Sequence, residues 1–272
     1  MNLRYFDTRP ISSLVREFFC LSFTEEDLPF TSKIVPVGFT SLTYIYGNSQ
    51  IAQRGKTITN LQGLTLTGQF SSSYLMKVDD TGDSFGINFH PTGLFKLLGQ
   101  DLSQFTNRHI KFSAENHPIA QKLEHLFQTH QSDWEGLVNA LIQLIKESSI
   151  TKDDKLEDID RAIHLIEEKE GMVSVCDILS QFPFSQKTFE THFKKIVGVT
   201  PGKFIRLHRF TKLMRRYESQ ELSVKDLILM YDYYDRSHFA KDFKLYMNES
   251  PRQYFDKEYP LIREYLKNVQ LR

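Results

Sequence analysis

The sequence is poor in the residues that build disulfide frameworks and metal centres. It contains only two cysteines, Cys20 and Cys176, which lie in different halves of the chain. Isolated thiols on apolar stretches do not form a disulfide scaffold, so we expect both to be buried in a reducing compartment. None of the nine histidines stands in a metal-ligand spacing. No metal and no cofactor are therefore predicted.

Long apolar runs are also missing. No run approaches the ~20 residues that a membrane-spanning helix needs. The first residues, from Met1 to Asp7, contain no apolar core of a signal peptide. We therefore expect a cytoplasmic protein that does not enter the membrane.

The sequence lacks the common motifs of nucleophilic and phosphate chemistry, so no enzyme activity and no catalytic residue are predicted. Gly55-Lys56-Thr57 is similar to the end of a phosphate-binding loop, but Gln50 stands where that motif needs a glycine. A surface turn is the favoured interpretation. Cys20 has only Arg16 as a basic neighbour, which favours a core role over reactivity.

Net charge is absent overall but not locally. The chain balances 34 Lys and Arg residues against 34 Asp and Glu residues, which alone argues against nucleic acid as a partner. Between Ser185 and Arg216, however, nine basic residues accompany a single acidic one, Glu190, and the local net charge is +8. Such runs are usually solvated faces, but this one coincides with a repeated motif.

The repeated motif occurs twice, fifty residues apart. The two copies are Phe189-x-x-x-Phe193-Lys194-x-x-x-Gly198-x-Thr200-Pro201-x-x-Phe204 and Phe239-x-x-x-Phe243-Lys244-x-x-x-Asn248-x-Ser250-Pro251-x-x-Tyr254. Two Phe four apart share one helix face, and Gly or Asn tolerates the left-handed conformation that ends a helix. Ser174 and Ser223 precede each copy as caps of a short helix. The pattern predicts two helix-turn-helix units.

These residues resemble the DNA-binding module of the AraC/XylS family of bacterial transcription regulators. The second copy carries most of the signature, Tyr233-x-Asp235-x-Ser237-His238-Phe239-x-x-x-Phe243-Lys244, and the resemblance covers Asp154 to Tyr259. Asp232 and Asn248 replace turn glycines of the family, and Pro183 occupies the corresponding position in the first unit. Asp and Asn accept such backbone angles best among the other residues, so we expect the fold to persist.

The resemblance implies which side chains contact DNA. A recognition helix packs one face inward and presents the other to the major groove. The DNA-binding candidates are Gln186, Lys187, Glu190, Thr191 and Lys194 in the first unit, and Arg236, Ser237, His238 and Lys241 in the second. His238 has an alternative role in capping its helix.

The first half of the chain has the pattern of an antiparallel β-rich domain. Short segments rich in β-branched and aromatic residues are predicted as strands: 14–23, 42–46, 64–70, 74–78 and 85–89. The turn Asp79–Asp83 predicts a hairpin between the last two. The stretch from Phe85 to Gly99 resembles part of a domain of unknown function that precedes AraC-type modules in some regulators.

The predicted fold class is thus an α+β N-terminal domain, antiparallel and β-rich with helices at its end, followed by an all-α double helix-turn-helix domain. The predicted boundaries are 1–148 for a sensory or assembly domain, 149–158 for a linker, 159–259 for the DNA-binding domain and 260–272 for a helical tail.

Two features of the N-terminal domain leave alternatives open. Its aromatic residues predict either a well-filled core or an apolar pocket for a small-molecule effector, lined by Tyr44, Tyr46, Phe70, Tyr74 and Phe89. The helix of residues 132–148 has an apolar stripe that either packs on its own sheet or forms a homodimer. The stripe consists of Trp134, Leu137, Val138, Leu141, Leu144 and Ile145.

The expected function is that of a sequence-specific regulator bound to double-stranded DNA. The alternative is an interaction protein that uses its helix-turn-helix units as docking surfaces without DNA contact. The exposed Lys and Arg residues expected on both recognition helices favour DNA.

Overall fold

The computed structural model describes residues 1–182, 185–219, 222–257, 259 and 261–262. Eight strands form one antiparallel sheet: β1 (Asn2–Phe6), β2 (Val15–Phe23), β3 (Phe30–Ile34), β4 (Ser41–Arg54), β5 (Thr57–Thr67), β6 (Tyr74–Val78), β7 (Gly82–Phe89) and β8 (His109–Lys111). The helices are α1 (Gly93–Leu98), α2 (Ile119–Thr129), α3 (Trp134–Glu147), α4 (Asp154–Glu168), α5 (Val175–Leu179), α6 (Gln186–Val197), α7 (Pro201–Glu218), α8 (Val224–Met230), α9 (Arg236–Met247) and α10 (Pro251–Phe255). The β-rich and helical halves match the predicted fold class.

The long strand β4 organises the sheet. On one edge, Ser41–Ile45 and Gln50–Arg54 pair with β5, with an irregularity between Ile45 and Gln50. On its other edge, Ser41–Ile45 pair with β7 and Ile51–Gln53 pair with β6. Strands β6 and β7 therefore run end to end along one edge of β4, and they do not pair with each other. The hairpin predicted around Asp79–Asp83 is wrong, because β4 is long enough to pair both strands in turn. The real hairpin joins β4 and β5 at Gly55, whose φ of +59° confirms the predicted surface turn.

Helices α2 and α3 cover one face of the sheet. Leu137, Leu141 and Ile145 are fully buried there, and Trp134 stacks on Phe85 of β7 with ring centroids 5.8 Å apart. The apolar stripe of residues 132–148 thus belongs to the core of its own domain. Of the two alternatives, this burial favours packing on its own sheet, and a homodimer through this helix stays a prediction.

The two helix-turn-helix units have the predicted helices and caps. Ser174 and Ser223 accept hydrogen bonds from the backbone of α5 and α8. Gly198 and Asn248 end α6 and α9 in the left-handed region, with φ of +97° and +55°. Asp232 also lies there, at +54°. The substitutions for glycine leave the turns intact, as expected. Pro183 lies outside the described residues.

The predicted linker and tail differ from the structure in detail. Helix α4 begins at Asp154, so the second half of the segment 149–158 is helical. Of the tail 260–272, only Leu261 and Ile262 are described, and both are buried; the remainder lies outside the described residues. The division into domains stays a prediction, since one apolar cluster continues from the sheet through Ile159 to Phe193 and Phe204.

The two cysteines have different environments. Cys20 is buried in β2, and burial raises the pKa of its thiol to about 11, in keeping with the predicted core role. Cys176 is exposed, so its predicted burial is wrong. It precedes the buried Ile178 by two residues on α5, which places it on the outer side of that short helix. Within the described residues, no helix has the length and apolarity to cross a membrane.

Candidate nucleic-acid interface

Recognition helix α6 of the first unit presents a polar face at its N-terminal end. Ser185 caps the helix by accepting from Thr188 N, while Phe189, Phe193 and Ile196 are buried. The side chains of Gln186, Lys187, Thr191 and Lys194 are exposed, and Glu190 is half-buried.

Three of the candidate side chains on α6, Gln186, Glu190 and Thr191, already form hydrogen bonds within the helix. Gln186 donates to Glu190 Oε1 at 2.8 Å, and Thr191 Oγ1 donates to the Lys187 carbonyl at 2.8 Å. Lys187 and Lys194 are the exposed cationic side chains of this face. A Gln amide held by a carboxylate still keeps one N–H and its carbonyl oxygen for a base edge.

Recognition helix α9 of the second unit is built in the same way. Asp235 caps it, since its carboxylate accepts from His238 N at 2.6 Å. Phe239 and Phe243 are buried, whereas Arg236, Ser237 and Lys241 are exposed. The His238 ring packs edge-on against Tyr233 at 5.1 Å. His238 supplies a backbone donor to the cap and a packing ring, and its side chain is half-buried.

A buried carboxylate that the sequence did not single out ties α9 to the connecting helix α7. Asp242 is 1% exposed and forms an ion pair with Arg206. The Arg209 guanidinium lies 3.9 Å from the same carboxylate, and Tyr233 donates to it at 3.4 Å. Burial alone would lower the pKa of Arg206, but Asp242 raises it above its ordinary value.

A second carboxylate, Glu170, joins the two units. Arg216 of α7 donates to it at 3.0 Å, and Tyr231, which follows α8, donates at 2.7 Å. Burial opposes ionisation of Glu170, yet these hydrogen bonds hold its pKa below the ordinary value. The local charge of +8 therefore overstates the cations open to DNA. Asp242 and Glu170 lie outside the window that was counted, and only the fold brings them to it.

The N-terminal domain contacts the far ends of both recognition helices. Thr106 donates its hydroxyl to the carbonyl of Gly198, at the end of α6. Ser73 N donates to the Tyr246 carbonyl, and the Asn248 amide donates to the Ser73 carbonyl, both at 2.6 Å, at the end of α9. The exposed candidates lie at the opposite, N-terminal ends. The domain contacts therefore leave the predicted groove-facing surface open.

The predicted effector pocket is only partly in the right place. A cavity of about 190 Å³ lies on the sheet face opposite α2 and α3, and Phe70 and Tyr74 line it. Tyr44 and Tyr46 do not, because alternate residues of β4 point to opposite faces. Tyr44 stacks on Phe127 at 5.1 Å, and Tyr46 donates to the Phe127 carbonyl at 3.0 Å. Phe89 is likewise buried in the core, so these three residues belong to the packed core.

Comparisons with known proteins agree with this architecture. Residues 179–257 match a family described as a helix-turn-helix domain, and residues 4–111 match a domain of unknown function (DUF6597). The chain is 32% identical over 82 residues to the HTH-type transcriptional activator AarP of Providencia stuartii, covering 30% of this chain and 61% of AarP. It is 26% identical over 176 residues to the activator RhaS of Escherichia coli, covering 59% of this chain and 62% of RhaS.

The chain thus spans about three fifths of the length of these curated relatives. Among solved structures, ToxT of Vibrio cholerae aligns with 89% of this chain and 97% of its own, at 12% identity and a TM-score of 0.46. The match to the helix-turn-helix family falls on the repeated motif, and the second match falls on the β-rich half. The chain therefore carries a helix-turn-helix domain over residues 179–257 behind a match to a domain of unknown function over residues 4–111, in the order that the resemblance predicted.

Proposed function

We propose that this protein is a sequence-specific DNA-binding regulator of transcription. The observation that carries the proposal is the polarity of both recognition helices. Each buries its Phe pair and leaves exposed basic and polar side chains at its N-terminal end. Side chains so placed reach base edges when a helix enters the major groove. The names of AarP and RhaS, both transcriptional activators, support the same class of activity.

Within this proposal, Lys187 and Thr191 of α6 and Arg236 and Lys241 of α9 are the base-reading residues. Gln186, Glu190 and Ser237 are additional base contacts, Lys194 contacts phosphate, and His238 mainly supports the helix start. Arg206 and Arg209 have a different role, since Asp242 holds them against α9. They fix the second recognition helix on α7. We also propose a cytoplasmic location, because a bacterial regulator of this class binds chromosomal DNA there.

Selection from a random-sequence DNA library tests the proposal. The full chain should enrich one sequence family, and its affinity for the enriched site should fall steeply with salt, with a log–log slope of about −0.9 per neutralised phosphate. Enrichment of no sequence, with equal affinity for all DNA at every salt concentration, would contradict sequence-specific binding. The absence of any DNA binding, at every salt concentration, would favour the alternative, in which the helix-turn-helix units dock on another protein.

A further inference from the structure

The cavity of about 190 Å³ lies where the two halves of the chain meet. Its floor is the sheet, with Thr43, Ile45 and Ser84 among the lining residues. The loop after β3 and the pair Leu261 and Ile262 from the C-terminal end of the chain also line it. A molecule bound there would therefore contact both the N-terminal domain and the segment that follows the second helix-turn-helix unit.

The charge of this lining is unusual because its cation is already neutralised. Lys33 is the one cationic side chain among the described residues that line the cavity. Its ammonium donates to the Met247 carbonyl at 2.8 Å and forms an ion pair with Glu249, and both side chains are 8% exposed. Lys257 lies 3.1 Å from the same carboxylate, and Tyr259 donates to it at 2.9 Å.

These contacts make Glu249 a strong competitor for Lys33. Burial alone would raise the pKa of the Glu249 carboxyl, but hydrogen bonds from Lys33, Tyr259 and Lys257 hold it below the ordinary value. An entering carboxylate would either share the third N–H of the Lys33 ammonium, where the like charge of Glu249 would repel it, or displace Glu249. The displaced group would lose a buried partner, and removing one partner of a buried ion pair is strongly unfavourable.

The remaining polar groups of the lining suit an uncharged ligand. Asn88, which is buried, donates its amide to Glu17 Oε1 at 2.6 Å, and Glu17 is 2% exposed. A second buried carboxyl group thus lies directly behind the wall. Thr65 and Ser84 contribute buried hydroxyls, and the rest of the surface is mainly aliphatic and aromatic.

We propose that the cavity binds an uncharged, mainly apolar molecule carrying one hydroxyl or carbonyl group, and that it excludes carboxylates of the same size. An apolar cavity of about 150 Å³ accepts benzene, so this one suits roughly seven to ten non-hydrogen atoms. The proposal does not depend on DNA binding. It concerns the chemical class of the ligand, and a binding measurement on the purified chain decides it.

Benzyl alcohol and benzoate are a matched pair of probes, because they differ mainly in charge. Their affinities for the full chain are measured at pH 7.5 by ligand-detected NMR titration. We expect benzyl alcohol to bind at least tenfold more tightly than benzoate. Thr43→Phe, which fills the cavity, should abolish binding of the alcohol. Thr57→Phe, on the exposed hairpin end, is the control and should leave it unchanged.

Glu249→Gln gives the sharper test, since it frees the charge of Lys33 within the lining. This variant should gain at least tenfold in affinity for benzoate while its affinity for the alcohol stays within about twofold. Circular dichroism shows whether this variant is folded. If it is not, the proposal is decided by the affinities of the wild type for the two probes and by the effect of Thr43→Phe on binding of the alcohol. Tighter binding of benzoate than of the alcohol by the wild type would overturn the proposal. So would alcohol binding that survives Thr43→Phe, or a folded Glu249→Gln variant that gains nothing for benzoate.

Discussion

Lys187 and Arg236 lie in the first turns of the two recognition helices, with both side chains exposed. Neither is needed for the core, so their replacement should affect DNA and leave the fold unchanged. We expect Lys187→Ala and Arg236→Ala each to relax preference at one or two base positions, at a cost of about 1–3 kcal/mol in binding free energy. Selection of binding sites by each variant is the measurement.

The matched control for these changes is Lys122→Ala, an exposed lysine of α2 in the other half of the chain. It should leave both affinity and sequence preference unchanged. If the two recognition-helix variants lose affinity equally for all sequences, these side chains contact phosphate and the base-reading assignment is wrong.

His208 gives the fold a dependence on pH. It lies on α7 against the N-terminal domain, where burial and the nearby charges of Lys212, Arg215 and Arg16 lower its pKa from 6.5 to about 3. The unfolded chain therefore takes up a proton below about pH 6.5 that the folded chain does not. The contribution of the neutral His208 to the free energy of unfolding is therefore complete above that pH and is lost progressively as the pH drops towards 3. We expect the free energy of unfolding to decrease by about 2 kcal/mol between pH 7.5 and pH 5 because of this histidine.

Urea unfolding at the two pH values measures this effect. His109, whose pKa burial lowers to about 4, contributes a similar loss and remains in the His208→Gln variant. That variant should therefore lose about 2 kcal/mol less than the wild type between pH 7.5 and 5. An unchanged pH dependence in His208→Gln would show that the histidine is protonated in the folded protein.

At the scale of the elements, the two residues that replace turn glycines make separate predictions. Asp232 and Asn248 both have positive φ, but only Asn248 is seen to use its side chain, which donates to the Ser73 carbonyl. Asp232→Gly should stabilise the protein by about 0.5–1 kcal/mol, because it removes backbone strain. Asn248→Gly relieves similar strain but loses a hydrogen bond of about 0.5–1.5 kcal/mol, so no gain is expected. Equal stabilisation by both changes, in urea unfolding, would contradict a structural role for the Asn248–Ser73 contact.

Elements with strong local signals were predictable from the sequence. The caps at Ser174 and Ser223, the Phe pairs and the left-handed ends at Gly198 and Asn248 depend on neighbours within a few residues. That β6 and β7 both pair with β4 was not predictable, because this arrangement depends on the length of β4. The pocket prediction failed for Tyr44 and Tyr46 because the sequence does not reveal which face of β4 the helices cover.

The charge of the candidate site could not be predicted from the sequence either. Counting Lys and Arg along the chain included Arg206 and Arg216, whose partners Asp242 and Glu170 lie 36 and 46 residues away. Lys33 gave no signal of its site for the same reason, since Glu249 lies 216 residues further on. Long-range ion pairs are set by the tertiary fold, and local composition does not report them.

At the scale of the whole molecule, the shared core predicts cooperative unfolding of the sheet with the first helix-turn-helix unit. Phe193 of α6 belongs to the same apolar cluster as the sheet, and Trp134, the single tryptophan, lies at the far side of that cluster. Phe193→Ala should therefore lower the stability reported by Trp134 fluorescence by about 3–5 kcal/mol.

Helix content, followed by circular dichroism, should shift together with the Trp134 fluorescence in this variant. Tyr234→Ala, at a side chain that is 93% exposed, should shift neither signal. A Trp134 transition unmoved by Phe193→Ala would mean that the two halves unfold independently.

The most direct test of the central claim is a footprint of the full chain on its selected DNA site. Helix α7 has 18 residues and spans about 27 Å at 1.5 Å per residue, and it connects the two recognition helices. If both enter the major groove on one face of the DNA, two protected segments should lie about 10 base pairs apart. Inserting five base pairs between them should abolish high-affinity binding, because it rotates one segment to the opposite face. A single protected segment, or affinity indifferent to the insertion, would contradict joint binding by the two units.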